Sequence, residues 1–249
     1  MCIRDSTKRT PYLEEPMRAF TDPKVHKIVM VAASQVGKSE LELNIIGYII
    51  DQDPGSILYV HPTIDDARKF SRLRVAPMIR DSKPLKAKVH DVKAKDSGNT
   101  ILQKSFPGGM LTLTGSNSAS ALASTPARYI IGDERDRWAT SAGTEGDPWA
   151  LAEARQATFY NAKAVEVSTP TIKGASNIET SFYQGTQERW CLIEVVNLAL
   201  VGMDIDFLIK PEVAACVIQV AVTVDDGQGQ IGQVADCFSD VTKSVSRIK

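Results

Sequence analysis

The run Ala33-Ser34-Gln35-Val36-Gly37-Lys38-Ser39 joins an apolar β-type segment, residues 27–32, to a helical pattern over Lys38–Asp51, and few backbone paths satisfy such a junction. Where a strand turns sharply into a helix, the loop N–H groups and those of the first helical turn converge, and an anion with several oxygens satisfies them. A nucleoside triphosphate also requires a lysine at its β- and γ-oxygens and a hydroxyl for Mg²⁺. Lys38 and Ser39 supply these, with Ser34, Gln35, Val36 and Gly37 forming the cradle. The pattern departs from the usual form because Ala32 occupies the first glycine position. Taken alone, the segment reads equally well as a helix start capped by Ser34, with Lys38 solvated.

A second segment changes that balance. Arg128-Tyr129-Ile130-Ile131-Gly132-Asp133-Glu134 is an apolar strand ending in two acids, the place where a phosphate-loop fold keeps its metal carboxylate. Asp133 is expected to hold Mg²⁺ through water. Glu134, expected on the opposite side of the strand end, would orient and deprotonate an attacking water as general base, with Lys38 as its catalytic partner at the phosphates. The rival reading is a mixed-charge turn through Asp136 and Arg137. A third segment, Ala164-Val165-Glu166-Val167-Ser168-Thr169-Pro170-Thr171, ends in hydroxyls that could sense a γ-phosphate, or that simply terminate a strand in a turn.

Around these segments the texture is that of an α/β fold. Short β-branched or aromatic runs at 27–32, 56–60, 111–114, 129–132 and 164–168 alternate with helical patterns, which predicts a three-layer domain with a mostly parallel sheet. One predicted helix is Lys38–Asp51, with Leu41, Ile45, Ile46 and Ile49 on its core face. The other spans 65–80, with Ala67, Phe70, Leu73 and Met78 inward. The lysine-rich stretch 81–99 reads as a surface excursion. The texture changes near Trp190, giving an N-terminal extension (1–9), a core domain (10–190) and an unassigned tail (191–249). Within that tail, the β-rich run 213–224 reads as part of a hairpin or a loosely ordered end.

Composition excludes few functions. A formal net charge of −1 over 249 residues gives no global polycation, so contact with nucleic acid must be local. Arg68, Lys69, Arg72, Arg74 and Arg80, followed by Lys83, Lys86, Lys88, His90, Lys93 and Lys95, offer such a patch, although a solvated charged face looks the same in sequence. Cys2, Cys191, Cys216 and Cys237 lack the spacing of a zinc or redox motif and read as free thiols. The apolar run 213–224 is shorter than the roughly 18 residues a membrane span needs. No secretory signal is recognised at the start, so an intracellular setting is expected.

The ordered set of Ala33–Glu40, the 44–53 helix with Pro54-Gly55, Val60-His61-Pro62-Thr63, Gly115-Ser116-Asn117-Ser118, residues 128–137 and Ser168–Thr171 resembles the large terminase subunits of tailed phages, in particular the lambda-type group, over residues 10–190. The resemblance implies a P-loop NTPase motor that uses ATP and Mg²⁺ to move double-stranded DNA into a procapsid. Its expected partners are a small terminase subunit and the capsid portal, and it would act as a homo-oligomeric ring in the bacterial host cytoplasm with no membrane contact. By position, Lys38 and Ser39 match the phosphate and Mg²⁺ residues, Asp133 the metal carboxylate, Glu134 the catalytic carboxylate, and Ser168 and Thr169 the coupling element. Ser34 stands where many members carry an arginine, so a charge-stabilising arginine is expected from Arg128, Arg135, Arg155 or a neighbouring subunit. A nuclease domain is not recognised in 191–249, and no cleavage is expected from this chain alone. Two further readings stay open, another P-loop translocase or helicase-like ATPase and a non-catalytic assembly or binding fragment.

Overall fold

The computed structural model describes residues 10–89, 99–124, 126–172, 174–191 and 216–224. Within them an eight-stranded sheet runs in the order β3-β4-β2-β5-β6-β1-β8-β7. Its strands are β1 (Val25–Ala32), β2 (Ile57–His61), β3 (Gln103–Phe106), β4 (Gly109–Gly115), β5 (Tyr129–Asp133), β6 (Lys163–Ser168), β7 (Glu188–Cys191) and β8 (Cys216–Val224). Neighbours from β4 through β2, β5 and β6 to β1 pair in parallel, and the flanking pairs β3–β4, β1–β8 and β8–β7 are antiparallel.

Strand alternation sends successive side chains to opposite faces. Ile57 and Tyr59 of β2, Tyr129 and Ile131 of β5, and Ile28 and Met30 of β1 enter one core. There they meet α1 (Glu14–Thr21) and α2 (Lys38–Asp51), whose Leu41, Ile45, Ile46 and Ile49 are all buried. On the other face Leu58, Val60 and Ile130 pack with Leu122 of α6 (Ala119–Ser124), with Trp138 and with Trp149 of α7 (Pro148–Glu153). Val29 and Val31 meet Ile178 and Phe182 of α8 (Asn177–Tyr183) on that same side of β1. The result is the expected three-layer α/β fold with a mostly parallel sheet. Gly132 has a packing reason, since a Cβ there would lie 2.7 Å from the Trp149 ring and 3.0 Å from Trp138.

Two elements differ from expectation, and a third joins the sheet at a place the sequence left unassigned. The 65–80 helix consists of α3 (Ile64–Phe70), a π-helical turn at Ser71–Val75 and α4 (Ala76–Asp81), and Ala76 N–H bonds back to Ser71 O. The wider turn rotates the following residues, so Leu73 is 71 % exposed whereas Val75 and Ile79 are buried. The supposed excursion contains α5 (Lys83–Lys88), anchored by Leu85 and by Val89 just past its end, with Lys88 ion-paired to Asp51 at 2.9 Å. Four-residue spacing of two apolar groups sufficed to fix it, and the surrounding lysines concealed the pattern. The run at 213–224 contributes β8, which lies beside β1 and pairs with β7, placing Cys191 opposite Cys216 in register. His90, Lys93, Lys95 and most of 191–249 lie outside the described residues.

Candidate active site

Strands β5, β6 and β1 are adjacent and parallel, so the segments leaving their carboxyl ends meet in one crevice. The loop after β1 reverses handedness twice, at Gln35 (φ 66°) and Gly37 (φ 91°), a backbone course that turns successive N–H groups toward one concavity. Gly37 caps α2 without a side-chain hydrogen bond, and Ser39 lies in that helix's first turn. Ser34 and Gln35 are exposed at the tip. The N-terminal segment clasps this loop, for Tyr12 Oη donates to Val36 O at 2.9 Å and Leu13 Cδ1 would sit 3.2 Å from a Cβ on Gly37.

Lys38 is 7 % exposed and folds back over its own loop, donating to Ala33 O at 3.3 Å and Ala32 O at 3.4 Å. Its ammonium also donates to Thr169 Oγ1 and lies 3.4 Å from Glu134 Oε1. Lys38, Glu134 and Thr169, from three separate sequence segments, therefore share one point. Glu134 has left-handed backbone (φ 48°, ψ 50°), which carries its side chain toward the phosphate loop. A non-glycine residue in that conformation costs of order 1–3 kcal/mol and persists where its surroundings impose it. Asp133 turns instead toward His61, whose Nδ1 is 3.3 Å from Asp133 Oδ2.

In the sequence His61 belongs only to the four-residue resemblance Val60–Thr63, and no local pattern marks its role. It ends β2, next to β5, and is clamped by the rings of Tyr59 and Phe70 at centroid distances of 4.7 and 4.9 Å. Its Nε2 is buried without a hydrogen-bond partner. Beneath it Tyr59 Oη donates to Glu42 at 2.8 Å, and burial together with the Asp133 charge pushes the Glu42 carboxyl well above the ordinary carboxylate range.

The turn after Glu134 is held from the opposite face of the sheet. Arg135 pairs with Asp147 at 2.9 Å, approaches Glu166 at 3.8 Å, and lies over the Trp138 and Trp149 rings. Asp136 N–H donates to Ser168 Oγ at 3.1 Å, which is where the structure places the second expected coupling residue.

The arginines nominated from sequence are engaged elsewhere. Arg128 forms a two-pronged pair with Asp53 (2.8 and 2.7 Å) just before β5 begins, and Asp133 is at the far end of that strand. Arg135 is committed as above, and Arg155 donates to Ala123 O at 3.0 Å. Arg137 comes closer to the site, its Nε 3.7 Å from Glu134 Oε2, with the side chain 64 % exposed. It stands at the edge of an open groove of about 380 Å³ whose lining includes His61, Asp66, Lys69, Arg74 and Glu134. Of the basic patch, Arg68, Lys69 and Arg80 are ion-paired with Asp65, Asp66 and Asp81 respectively. Among the described residues no group of three or more His, Cys, Asp or Glu side chains could hold a metal, and no helix is long and apolar enough to cross a membrane.

Comparison with known proteins agrees with this fold. Over 170 residues the chain is 26 % identical to the terminase large subunit of Escherichia phage lambda and 24 % identical to that of Enterobacteria phage P21. Each alignment covers 68 % of the chain and 26 % of the relative, so the chain spans about a quarter of those proteins' length. The fold is similar to the crystal structure of the HK97 bacteriophage large terminase, with a TM-score of 0.55 and 15 % identity over 70 % of this chain and 35 % of that one. Residues 3–193, well over half of the sequence, match the family described as the ATPase domain of the phage terminase large subunit gpA, and the chain belongs to that family.

Proposed function

We propose that this chain is the Mg²⁺-dependent, ATP-hydrolysing motor of a DNA-packaging terminase, moving double-stranded phage DNA into a procapsid in the host cytoplasm. The observation that carries the reading is the meeting of Lys38, Glu134 and Thr169 at one point beside the twice-reversed loop. That loop fits a triphosphate because its converging N–H groups and the first turn of α2 offer donors where phosphate oxygens need them. Ser34 through Ser39 form the cradle, and the Lys38 ammonium exchanges loop carbonyls for β- and γ-oxygens.

Ser39 and Asp133 are the residues that would hold Mg²⁺. A site with so few protein ligands suits an ion that keeps most of its waters and takes the rest of its coordination from phosphates. Bound there, the ion would neutralise charge on those phosphates. Glu134 accepts the proton of the attacking water as its oxygen bonds to the γ-phosphorus, while the bond to the departing ADP oxygen breaks. Thr169 and Ser168 read out the event because one touches Lys38 and the other the turn carrying Glu134.

No arginine nominated from sequence faces this point, so the charge-stabilising arginine would be Arg137, whose Nε lies 3.7 Å from Glu134 Oε2, or one from a neighbouring copy in a ring on the portal. The small terminase subunit would supply DNA recognition, since a backbone-gripping motor leaves sequence unread. Calorimetry of MgATP binding to wild type and Lys38→Ala tests the cradle without a ring. Loss of a charge-assisted phosphate contact worth roughly 1.5–3 kcal/mol should weaken binding about ten- to a hundredfold. Glu134→Gln should keep binding and lower hydrolysis by about 10²–10⁴-fold. Folded wild type that binds no ATP would overturn the reading.

A further inference from the structure

Asp136 links three parts of the crevice that sequence keeps apart. It lies two residues beyond Glu134 in the tight turn Arg135–Arg137. Its backbone N–H is held by Ser168 Oγ at the end of β6. One carboxylate oxygen accepts from Thr171 N–H at 3.0 Å and from Thr171 Oγ1 at 3.3 Å, and the other accepts from Ile178 N–H at 2.9 Å. Thr171 closes the segment that begins at Thr169, and Ile178 belongs to the first turn of α8, whose Ile178 and Phe182 pack on Val29 and Val31 of the strand that feeds the phosphate loop. One side chain therefore fastens the turn of the left-handed Glu134, the segment touching Lys38, and the helix behind β1.

We infer that Asp136 is a positioning residue that carries a displacement of Glu134 to the Thr169–Thr171 segment and to α8. The inference rests on the nucleotide reading above and adds to it the route by which occupancy of the cradle reaches a surface helix. A backbone displacement at Glu134 turns the adjoining Arg135–Arg137 segment, and turning that segment pulls on Thr171 N–H and Ile178 N–H. Because these bonds converge on a single carboxylate, the two recipients move together. Glu166 adds a second hold on the same helix, since Ser181 Oγ donates to its oxygens at 3.2 Å and Arg135 lies beside it.

The test uses the full chain and the variant Asp136→Asn, which matches the side chain in shape but replaces one acceptor oxygen by a donor. Calorimetry reports ATP affinity, steady-state assay reports kcat, and hydrogen exchange with and without MgATP reports the amides of residues 171–183. In wild type, MgATP should change exchange across α8. In Asp136→Asn, affinity should stay within about threefold, kcat should fall about tenfold, and the exchange response of α8 should vanish. Ser168→Ala, which releases the Asp136 N–H together with the Ser168 Oγ contact to Thr169 O but leaves the Asp136 carboxylate bonds in place, should move kcat and exchange in the same direction by less and covers the case in which Asp136→Asn folds poorly. A wild type that fails to bind ATP overturns the nucleotide reading and this inference with it. A wild type that binds ATP without a response in α8, or a response that survives in both variants, overturns the positioning role alone. A lowered melting temperature with an intact exchange response identifies Asp136 as merely structural and equally overturns it.

Discussion

His61 Nδ1 lies 3.3 Å from Asp133 Oδ2, across the boundary between β2 and β5 and under the rings of Tyr59 and Phe70. With the ring proton on Nδ1, the imidazole donates to the Asp133 carboxylate. Partners of this kind orient a metal-binding carboxylate, and their loss commonly costs 10–100-fold in metal affinity. His61→Ala is therefore expected to weaken the Mg²⁺ dependence of ATP binding by about tenfold while metal-free nucleotide binding changes little. Mg²⁺ titrations at fixed ATP measure this, and an unchanged Mg²⁺ midpoint would show that Asp133 does not depend on the ring.

A second expectation concerns Glu42. It is fully buried, accepts from Tyr59 Oη at 2.8 Å, and has one oxygen without a partner. Burial, then the Asp133 charge, raises its pKa well above the ordinary value. The fold thus retains a proton that the unfolded chain releases near pH 4.3. A raised native pKa contributes stability that is complete below the unfolded value and is lost as pH climbs toward the native one. Glu42→Gln removes the titration and keeps an acceptor for Tyr59. Its unfolding free energy relative to wild type should therefore rise between pH 5 and pH 8, by about 1.4 kcal/mol for each pH unit over which native Glu42 keeps its proton. A gap independent of pH in Mg²⁺-free, nucleotide-free melts would mean Glu42 does not titrate in that range.

How much of this was legible in sequence follows from the range over which each signal acts. The five parallel strands were readable because each is a local run of β-branched or aromatic residues closed by a breaker, and Lys38 and Glu134 were readable because each sits at the end of such a run. Tyr12, His61 and Asp136 were not singled out for these roles. Their partners Val36, Asp133, Ser168 and Ile178 become neighbours only once the strand order is set. The π-helical turn escaped for a different reason. One extra residue shifts the inward face without disturbing apolar composition, so Leu73 and Val75 exchange places while the pattern still reads as helix. The partners that hold the side chains of Arg128, Arg135 and Arg155 lie well away in sequence, so no local pattern reveals that these arginines are engaged.

The buried charges on the far face make the last expectation. Lys27 Nζ lies 2.6 Å from Glu166 Oε1 and 3.1 Å from Glu153, and it stands over the Trp149 ring at 5.2 Å. Glu166 is fully buried, and burial pushes its pKa up against the pull of Lys27. Removing one member of such a pair leaves an uncompensated charge and typically costs 3–5 kcal/mol, whereas neutralising both is far milder. Lys27→Met should thus destabilise by about 3 kcal/mol at pH 8, and adding Glu166→Gln should restore much of that loss. The sign with pH follows from Glu166. Deprived of Lys27, its native pKa rises further, so the variant's deficit should be larger at pH 8 than at pH 5, because the carboxyl takes up its proton as pH falls. Chemical denaturation of wild type, the single variant and the double variant at both pH values measures the cycle. Strictly additive losses would indicate that Lys27 acts through its packing on Trp149 rather than through the Glu166 charge.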